Sequence, residues 1–439
     1  MATILIIGGG LAGLATAAAL GSAGHQVKVL EARGFLGGRA TSYPVPGTTE
    51  DPIDNCQHIL LRCCVNLIDF YRRLGVEHKI EFHREFYFME PGGRTSILKG
   101  GIFPYPLHFT ESFLSMKCLS LGDKLGIGRA LIAVLLEYGK RSDLDGITML
   151  QWLQEKRQSV NSIERFWRQV LVSAINEELD QMAASHGLQV FRVAFLGSGD
   201  SYEMGIPRVP LAELYGENAW KQLPSVEILT RRTVDTIEVS EGRVTAVMSA
   251  GERLTADVYV SALPFERLQP LMPALPIDWS VFTHSPITGI HLWFDRPITS
   301  LPHATLLDRT IQWMYNKSDG RHVQLVVSAS RSLTTMPRQD VIDLALRELA
   351  EFFPLVREAR LEKAHVVKEV RATFSAVPGL ESKRPLPATW MANFFLAGDW
   401  TRSGWPATME GSVRSGYQAA DAVERSLGRG SEFLLPDIA

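Results

Sequence analysis

The sequence predicts an α/β protein in which a parallel-sheet domain is interrupted by a second, α+β domain. Both ends of the chain have the apolar runs and helix signals of a buried parallel sheet, whereas the middle has short runs separated by polar turns. At 439 residues the chain is also longer than one compact core usually supports. Because the ends resemble each other and the middle does not, the first domain is expected to be discontinuous.

The two ends predict the parallel sheet. Thr3–Ile7 reads as a strand, Leu11–Ser22 as a helix and Gln26–Leu30 as a second strand. Near the other end, Phe394–Ala397 has the composition of a buried strand and Glu410–Arg425 the pattern of a closing helix. Strands that are joined through helices in this way lie parallel in one sheet.

The middle of the chain predicts antiparallel structure. Thr236–Val239 and Val244–Met248 flank a polar turn and indicate a β-meander. A second, mixed sheet with a helix is expected further on, from the segments Ile287–Phe294, Ile311–Asn316, Val323–Ser328 and the helical Arg338–Phe352.

Composition excludes several classes of protein. A net charge of −3 provides no basic surface for nucleic acid. No apolar run reaches the ~18 residues of a spanning helix, and residues 2–23 lack the early Lys or Arg of a signal peptide. The four cysteines are Cys56, Cys63, Cys64 and Cys118. They form no CxxC pair and no Cys/His cluster, so no metal site is predicted. Reduced thiols suit a cytoplasmic protein.

A GxGxxG turn lies between the first strand and the helix that follows it. The first glycine permits the tight turn, the second lets the backbone approach a pyrophosphate, and the third allows the helix to pack closely on the sheet. The helix start adds free amides and the positive end of its dipole, and Glu31 ends the second strand where a ribose hydroxyl would be accepted. Dinucleotide binding is therefore predicted, with contacts from Gly8, Gly10, Leu11, Ala12 and Gly13.

A second glycine pair identifies the type of dinucleotide. Gly37–Arg39 can place backbone and a guanidinium against the other side of a pyrophosphate. Together with Glu31–Arg33 it resembles the flavin amine oxidases and phytoene desaturases. The resemblance implies FAD and a Rossmann-like FAD-binding domain of glutathione-reductase type with an inserted substrate domain. It assigns to the cofactor Glu31, Ala32, Arg33, Gly37, Gly38 and Arg39.

The C-terminal region carries the same resemblance. Phe395–Trp400 is similar to the strand that delivers an aspartate to the ribityl-phosphate region in this family, and Ala407–Gly416 to a turn into a helix whose first amides face the flavin. A dipole end there stabilises negative charge on the reduced ring. The resemblance adds to the cofactor site Gly398, Asp399, Thr408, Met409 and Glu410, with Val234 near adenine and Ala262 on the strand that returns to the nucleotide.

These motifs set the expected domain boundaries. The FAD-binding domain is expected over residues 1–75, 205–280 and 385–425, the substrate domain over 76–204 and 281–384, and a tail over 426–439.

A narrower resemblance is to the hydroxysqualene dehydroxylases. It rests on Asp54–Leu61, Val367–Phe374 and Gly398–Gly411, with Cys56 in a place where the family usually has glycine. It implies that reduced FAD delivers hydride to hydroxysqualene as water leaves, and places Asn55 and His58 beside the cofactor. Because hydroxide is a poor leaving group, a general acid is expected; the candidates are His58 first, then Asp54 and Arg371.

The region 101–136 is rich in large apolar residues, and 125–136 reads as a helix. Either it packs in the core of the substrate domain, or it lies on a bilayer and admits an isoprenoid substrate to an apolar tunnel. In the second case the protein makes transient contact with the inner face of the cell membrane. Aromatic residues predicted for the tunnel are Trp279, Phe282, Trp293, Trp313 and Tyr315.

Three other functions use the same architecture. A phytoene or dehydrosqualene desaturase would use the same flavin site in the oxidative direction, and an amine oxidase would take a polar substrate. A prenyl-lipid escort like the Rab GDP-dissociation inhibitors would need no flavin. The electron donor stays open, because no nicotinamide site can be assigned and an external reductase or free reduced cofactor would serve; the oligomeric state is not predicted.

Overall fold

The protein is described by a computed structural model over residues 1–45, 52–430 and 432–438. The strands are β1 (Thr3–Ile7), β2 (Gln26–Glu31), β3 (Ser42–Tyr43), β4 (Ile53–Asp54), β5 (Leu60–Leu61), β6 (Ile80–His83), β7 (Glu85–Met89), β8 (Thr95–Lys99), β9 (Met204–Pro207), β10 (Val226–Thr230), β11 (Val234–Ser240), β12 (Arg243–Ser249), β13 (Glu252–Leu254), β14 (Val258–Ser261), β15 (His284–Phe294), β16 (His303–Leu306), β17 (Trp313–Ser318), β18 (His322–Ser328), β19 (Leu361–Phe374) and β20 (Phe394–Leu396). The α-helices are α1 (Leu11–Ser22), α2 (Val65–Arg73), α3 (Thr110–Ser115), α4 (Leu121–Glu137), α5 (Met149–Glu155), α6 (Val160–Ser162), α7 (Arg168–Ile175), α8 (Ala184–Val190), α9 (Phe265–Leu268), α10 (Arg338–Phe352) and α11 (Met409–Ser426).

One sheet is wholly parallel and has the order β10-β2-β1-β14-β20. Its strands come from three distant stretches of chain, as predicted for the discontinuous domain. Helices α1 and α11 pack together beside it at a point that only glycine permits, because a Cβ at Gly416 would lie 2.4 Å from the Ala12 carbonyl oxygen. The first and last helices therefore meet, which brings the two ends of the sequence to one place.

The second sheet is mixed and has the order β19-β15-β18-β17-β16-β7-β8. All neighbours are antiparallel except β16 and β7. One face carries aliphatic side chains that form a core cluster with α10, whose members include Leu292, Leu325 and Val341. The other face carries Phe86, Trp313 and other aromatics that belong to the largest core cluster.

The predicted fold class is confirmed, and most predicted elements have nearly the predicted bounds. The strand expected from Ile311 instead begins at Trp313, because the Ile311 amide donates to the Glu348 carboxylate at 2.9 Å rather than to a neighbouring strand. In the mixed sheet, the strands β7, β8, β16 and β19 were not predicted. The domain boundaries themselves stay a prediction.

The helix α4 is longer than predicted. It begins after Ser120, which forms a capping box with Asp123.

Among the described residues, no helix is both long and apolar enough to cross a membrane.

Candidate active site

The first glycine turn is built for a ligand's negative charge. Gly8 has a φ of +110°, and a Cβ at Gly13 would lie 2.0 Å from the Gly8 carbonyl oxygen, so both positions require glycine. Among the described residues, the buried amides of Leu11, Ala12 and Gly13 at the start of α1 have no acceptor. Unpaired buried N–H groups are rare, and three at one helix start form an anion-binding site.

The second glycine pair lies directly against this turn. The Gly37 amide donates to the Gly9 carbonyl at 2.9 Å, and a Cβ at Gly38 would lie 3.1 Å from the Gly10 Cα. Gly37 has a φ of +96°. Two glycine-rich backbones are thus held side by side, and a pyrophosphate can approach both.

Glu31 is buried at the end of β2. Its carboxylate accepts hydrogen bonds from the Gly9 amide at 2.8 Å and the Arg33 amide at 2.7 Å. These bonds fix the carboxylate beside the glycine turn and leave further lone pairs on its oxygens. The neighbours Ala32 and Arg33 are exposed, and the amides of Arg231 and Arg232 donate to the Arg33 and Glu31 carbonyls. Val234 follows two residues later, half-buried at the start of β11.

Arg39 and Asp399 connect the N-terminal and C-terminal motifs. Their side chains form an ion pair at 2.5 Å, and Arg39 also donates to the Ala372 carbonyl at 3.1 Å. Burial lowers the pKa of Arg39, but the charge and hydrogen bond of Asp399 outweigh it, so the net pKa lies above its usual value. Gly398, just before Asp399, has a φ of +143° and its amide donates to Ser415 Oγ at 2.9 Å.

Arg384 holds the C-terminal loop and was not predicted. It is 1% exposed and donates to the carbonyls of Asp399 at 2.6 Å and Trp405 at 2.8 Å. A buried guanidinium that bonds several carbonyls fixes their positions, since each lost contact would leave a buried polar group unpaired. Its sequence context, between Lys383 and Pro385, carries no motif that would have singled it out.

The start of α11 provides a second group of free amides. Thr408 is the N-cap and accepts from the Gly411 amide at 2.9 Å. In the part of the chain that the structure describes, the Met409 and Glu410 amides have no acceptor. Their partial positive charge suits the carbonyl edge of a flavin ring.

The motif assigns the backbone amides of this turn to the flavin, and the Glu410 side chain is bound elsewhere in the protein. Its carboxylate is 1% exposed and accepts from the Asn66 side chain at 2.9 Å and the Leu67 amide at 2.7 Å, at the start of α2. Burial raises its pKa, although these hydrogen bonds oppose the rise. Only the Glu410 backbone is therefore free for a ligand.

Hydrogen bonds hold the segment Asp54–His58 against Arg39 and the surrounding scaffold. Asn55 donates from its side chain to the Arg39 carbonyl at 2.7 Å, and its amide oxygen lies 3.1 Å from His58 Nε2. Asp54 is 4% exposed, and one carboxylate oxygen accepts from Ser42 Oγ and the Leu211 amide. Asn55 and His58 thus adjoin the FAD motif at Arg39, whereas Asp54 supports the scaffold.

The general-acid candidates do not meet at one point. Burial lowers the pKa of the half-buried His58 to about 4, with Asp54 raising and Lys317 lowering it, so its acidic imidazolium form is scarce at neutral pH. Asp54 is held by the scaffold, and Arg371 is exposed on β19. These contacts single out none of the three as the acid, so their catalytic role stays a prediction.

Ala262 lies at the glycine turn, as its motif implied. Its amide donates to the Ile7 carbonyl at 2.8 Å, and its carbonyl oxygen would lie 3.0 Å from a Cβ at Gly8. The strand β14 therefore delivers Ala262 to the first glycine turn.

A largely apolar cavity begins at the first turn of α11. Its volume is about 170 Å³, below the roughly 300–1,000 Å³ of pockets that hold drug-sized ligands. Helices α7 and α8, the loop before α11 and strands β5, β7, β8, β16 and β17 form its wall, with lining residues that include Leu61, Cys63, Phe86, Phe88, Leu98, Phe195, Trp313, Trp405, Thr408 and Met409.

Only one of the five predicted tunnel aromatics lines this cavity. Trp313 does, whereas Tyr315 stacks behind it with ring centroids 5.6 Å apart. Phe282 packs on Trp400, as does Trp279, and Trp293 stacks on His322 at 4.2 Å. Alternation along a strand shows which residues share a face, but not which part of that face a cavity adjoins.

The model of the family described as flavin containing amine oxidoreductase matches residues 11–424. Over 96% of its length the chain is 29% identical to hydroxysqualene dehydroxylase of Rhodopseudomonas palustris, covering 98% of that protein. Over 96% of its length the chain is also 26% identical to 15-cis-phytoene desaturase of Synechococcus elongatus, and the match covers 95% of that protein. The fold matches cyclohexylamine oxidase of Brevibacterium oxydans with a TM-score of 0.67 and 19% identity, covering 98% of this chain and all of that one.

The chain belongs to the flavin containing amine oxidoreductase family. It is an FAD-dependent oxidoreductase, and the residues present fit that cofactor. The free amides at the start of α1 suit a pyrophosphate, Glu31 a ribose, and the free amides at the start of α11 a flavin edge.

Proposed function

We propose that this enzyme reductively dehydroxylates a long isoprenoid alcohol, hydroxysqualene, to squalene. The observation that carries the proposal is the cavity, which is apolar along most of its wall and ends at the Thr408–Glu410 turn of the cofactor site. Similarity to the hydroxysqualene dehydroxylase of R. palustris over nearly the whole chain supports the choice of substrate.

When bound and reduced, FAD supplies the hydride that replaces the hydroxyl group. The protein's part is to hold the hydrocarbon and to exclude water, which would otherwise capture an allylic cation as the alcohol. The π-faces of Trp313, Phe86 and Phe195 in the cavity wall can stabilise such a cation. The departing hydroxyl must also receive a proton.

Product analysis tests the proposal. Purified enzyme loaded with FAD and reduced under anaerobic conditions should convert hydroxysqualene to squalene, with one squalene formed per hydroxysqualene consumed. The same preparation in its oxidised form should give no product. Reduced, FAD-loaded enzyme that leaves hydroxysqualene unchanged would contradict the proposal.

An isoprenoid desaturase is the second candidate, because carotenoid desaturases match this chain equally well. Incubation of oxidised enzyme with phytoene and an electron acceptor would then give new conjugated double bonds, visible in the absorption spectrum. An amine oxidase fits less well, since a charged ammonium is costly to bury in an apolar cavity. A prenyl-lipid escort would not need the free amides at the starts of α1 and α11.

We also propose that the substrate enters from a lipid surface. The apolar patch, defined as the exposed Ile102, Phe103, Leu107, Leu114, Leu121, Leu125, Ile132 and Leu136, covers the 101–136 region. On α4 the exposed Leu121, Leu125 and Ile132 lie along one stripe, because they recur at helical spacing. The exposed cations Lys117, Arg129 and Lys140 flank the patch and suit anionic headgroups.

The segment that carries the apolar patch contacts residues beside the cavity. The Tyr105 hydroxyl donates to the Leu196 carbonyl at 2.6 Å, and the rings of Phe109 and Phe195 lie 6.0 Å apart. Phe195 lines the cavity together with Phe86, 6.3 Å away. A hydrocarbon that leaves a membrane at the patch therefore has a short apolar route to the cavity wall.

Vesicle sedimentation tests this surface. The double substitution Leu125→Ser and Ile132→Ser should reduce binding to vesicles of phosphatidylglycerol and phosphatidylcholine by about tenfold or more, since each exposed side chain inserts apolar area worth about 1 kcal/mol or more. The matched control Val239→Ser changes an exposed apolar residue on β11, away from the patch. Unchanged vesicle binding by the double variant would contradict the proposal that the apolar patch binds membranes.

A further inference from the structure

Among the residues that the structure describes, two buried polar atoms of the apolar cavity have no hydrogen-bond partner. Thr305 on β16 is fully buried, and among the described residues its Oγ1 has no hydrogen-bond partner. Gln169 on α7 is 8% exposed, and its Oε1 likewise has none. Both residues line the cavity.

The other polar side chains of the cavity are already bonded. Ser173 Oγ accepts from Trp313 Nε1 at 2.6 Å and donates to the Gln169 carbonyl at 2.7 Å. Gln189 donates to the Gly404 carbonyl at 2.9 Å, Thr408 caps α11, and the Glu410 carboxylate is held by α2. The unpaired atoms of Thr305 and Gln169 are therefore exceptions within this wall.

A chain of contacts links the two residues along the cavity wall. Thr305 pairs with Trp313 across β16 and β17, and Trp313 bonds Ser173 of α7, one helical turn after Gln169. Side chains directly opposite each other on antiparallel strands have Cβ atoms ~5 Å apart. This chain of contacts fixes both residues without satisfying either free atom.

A buried polar atom without a partner is costly, so it indicates a ligand that supplies one. Threonine Oγ1 can donate and accept, whereas glutamine Oε1 only accepts. An alcohol matches both, because its O–H donates to Gln169 Oε1 while its oxygen accepts from Thr305 Oγ1. A hydrocarbon such as squalene or phytoene offers neither bond.

We infer that Thr305 and Gln169 form a subsite for the single hydroxyl group of an isoprenoid alcohol. The inference rests on the proposed function and specifies how its substrate is recognised. It also gives a reason for release of product, since squalene has lost the group that both residues hold. Thr305 and Gln169 are thus specificity-determining residues of the cavity.

Ligand binding without turnover tests the subsite. Oxidised, FAD-loaded enzyme is titrated with hydroxysqualene and with squalene in the same detergent, and binding is followed by fluorescence of Trp313 and Trp405 in the wall. We expect wild type to prefer the alcohol by about tenfold or more, the value of two neutral hydrogen bonds in a buried site. Thr305→Val and Gln169→Met should each reduce this preference by about threefold to tenfold, through weaker binding of the alcohol.

Two further variants distinguish recognition of the hydroxyl group from a change in the shape of the cavity. Thr305→Ser keeps the hydroxyl group and should keep the preference. Phe88→Leu changes an apolar wall residue paired with Thr305 across β7 and β16, and should weaken both ligands by a similar factor. FAD content and thermal unfolding are measured on every variant, so that a folding defect is recognised as such.

The outcomes distinguish this inference from the proposed function. A wild type that converts hydroxysqualene, with an alcohol preference unchanged in both Thr305→Val and Gln169→Met, overturns the subsite and means that these atoms hold only ordered water. A wild type without any preference for the alcohol also overturns it. The wild-type enzyme could instead prefer the alcohol through these two residues but fail to convert it when reduced. That result would support the subsite and contradict the proposed function.

Discussion

Gly13 has no space for any side chain. The Gly8 carbonyl oxygen occupies the position next to its missing Cβ, and this oxygen belongs to backbone that cannot move without changing the turn. The same turn presents the free amides of Leu11 and Ala12. At this position, therefore, the requirement for glycine and the capacity to bind a pyrophosphate have the same cause.

We expect Gly13→Ala to reduce FAD affinity by at least about a hundredfold, because a shift of the turn misdirects several charge-assisted hydrogen bonds worth roughly 1.5–3 kcal/mol each. The control is Gly128→Ala in α4, where an added Cβ meets nothing within 4 Å. That variant should bind FAD normally and gain about 0.5–1 kcal/mol in unfolding free energy. Fluorescence titration with FAD measures the affinity, and normal FAD binding by Gly13→Ala would contradict this account.

His58 lies in an environment that favours its neutral form. Its pKa of about 4 leaves it neutral near pH 7, and its Nε2 lies beside the Asn55 side chain. Such a histidine is better suited to hold Asn55 against Arg39 than to give up a proton.

We expect His58→Gln, once saturated with FAD, to turn over within about tenfold of wild type and to keep the same pH dependence between pH 6 and 8. A general acid contributes roughly 10²–10⁴-fold. The rate of single-turnover reduction of hydroxysqualene measures this effect. A decrease of roughly 10²–10⁴-fold, together with loss of the acidic limb of the pH profile, would instead identify His58 as the general acid.

At the scale of elements, α11 has two functions at its first turn. Its Met409 and Glu410 amides are free for the cofactor, while the Glu410 carboxylate accepts from the first turn of α2. A carboxylate at a helix start is favourable, because it meets free amides and the positive end of the dipole. The position of the flavin edge is thus tied to α2.

We expect Glu410→Ala to lower the free energy of unfolding by about 2–4 kcal/mol, because it leaves the Asn66 and Leu67 donors buried and unpaired. Arg425→Ala, at an exposed site near the end of the same helix, should cost less than about 1 kcal/mol. Urea unfolding measures both. Equal small losses would mean that α2 and α11 are held by apolar packing alone.

The helix α4 is apolar on two opposite faces. Ile127, Ala130 and Val134 are buried, whereas Leu121, Leu125 and Ile132 are exposed. A helix on the surface of a water-soluble domain normally has polar residues on its outer face. The outer stripe therefore requires a partner, and the proposed lipid surface provides one.

At the scale of the whole molecule, several histidines are buried as neutral groups. Burial lowers the pKa of His186 to about 4 and those of His291, His303 and His322 to about 3, with nearby charges contributing. The unfolded chain takes up these protons first as the pH falls below about 6.5. Because the unfolded state then binds more protons than the folded state, stability decreases with falling pH.

We expect the free energy of unfolding to fall between pH 6.5 and 5, with a slope of up to about 1.4 kcal/mol per pH unit for each such histidine. Urea unfolding at several pH values measures it. His186→Gln should reduce the slope, whereas His78→Gln, at an exposed histidine, should not. A stability that is constant over this range would contradict the assignment of neutral buried histidines.

Sequence alone determined the local parts of this protein. The glycine turns, the ends of β1, α1 and α10, and the cofactor motifs depend on steric limits and hydrogen bonds within a few residues, so their patterns are visible in the chain. Even the meeting of the two termini around FAD was predictable, because both carry motifs for the same ligand.

Only the tertiary structure decided which side chains face the cofactor, the cavity or the solvent. Glu410 turns to α2, Tyr315 lies behind Trp313, and the apolar patch is exposed rather than packed in a core. Thr305 and Gln169 belong to no motif, since they are brought to one cavity by a strand and a helix that lie far apart in sequence. Packing between distant elements sets these orientations, and no local pattern encodes it.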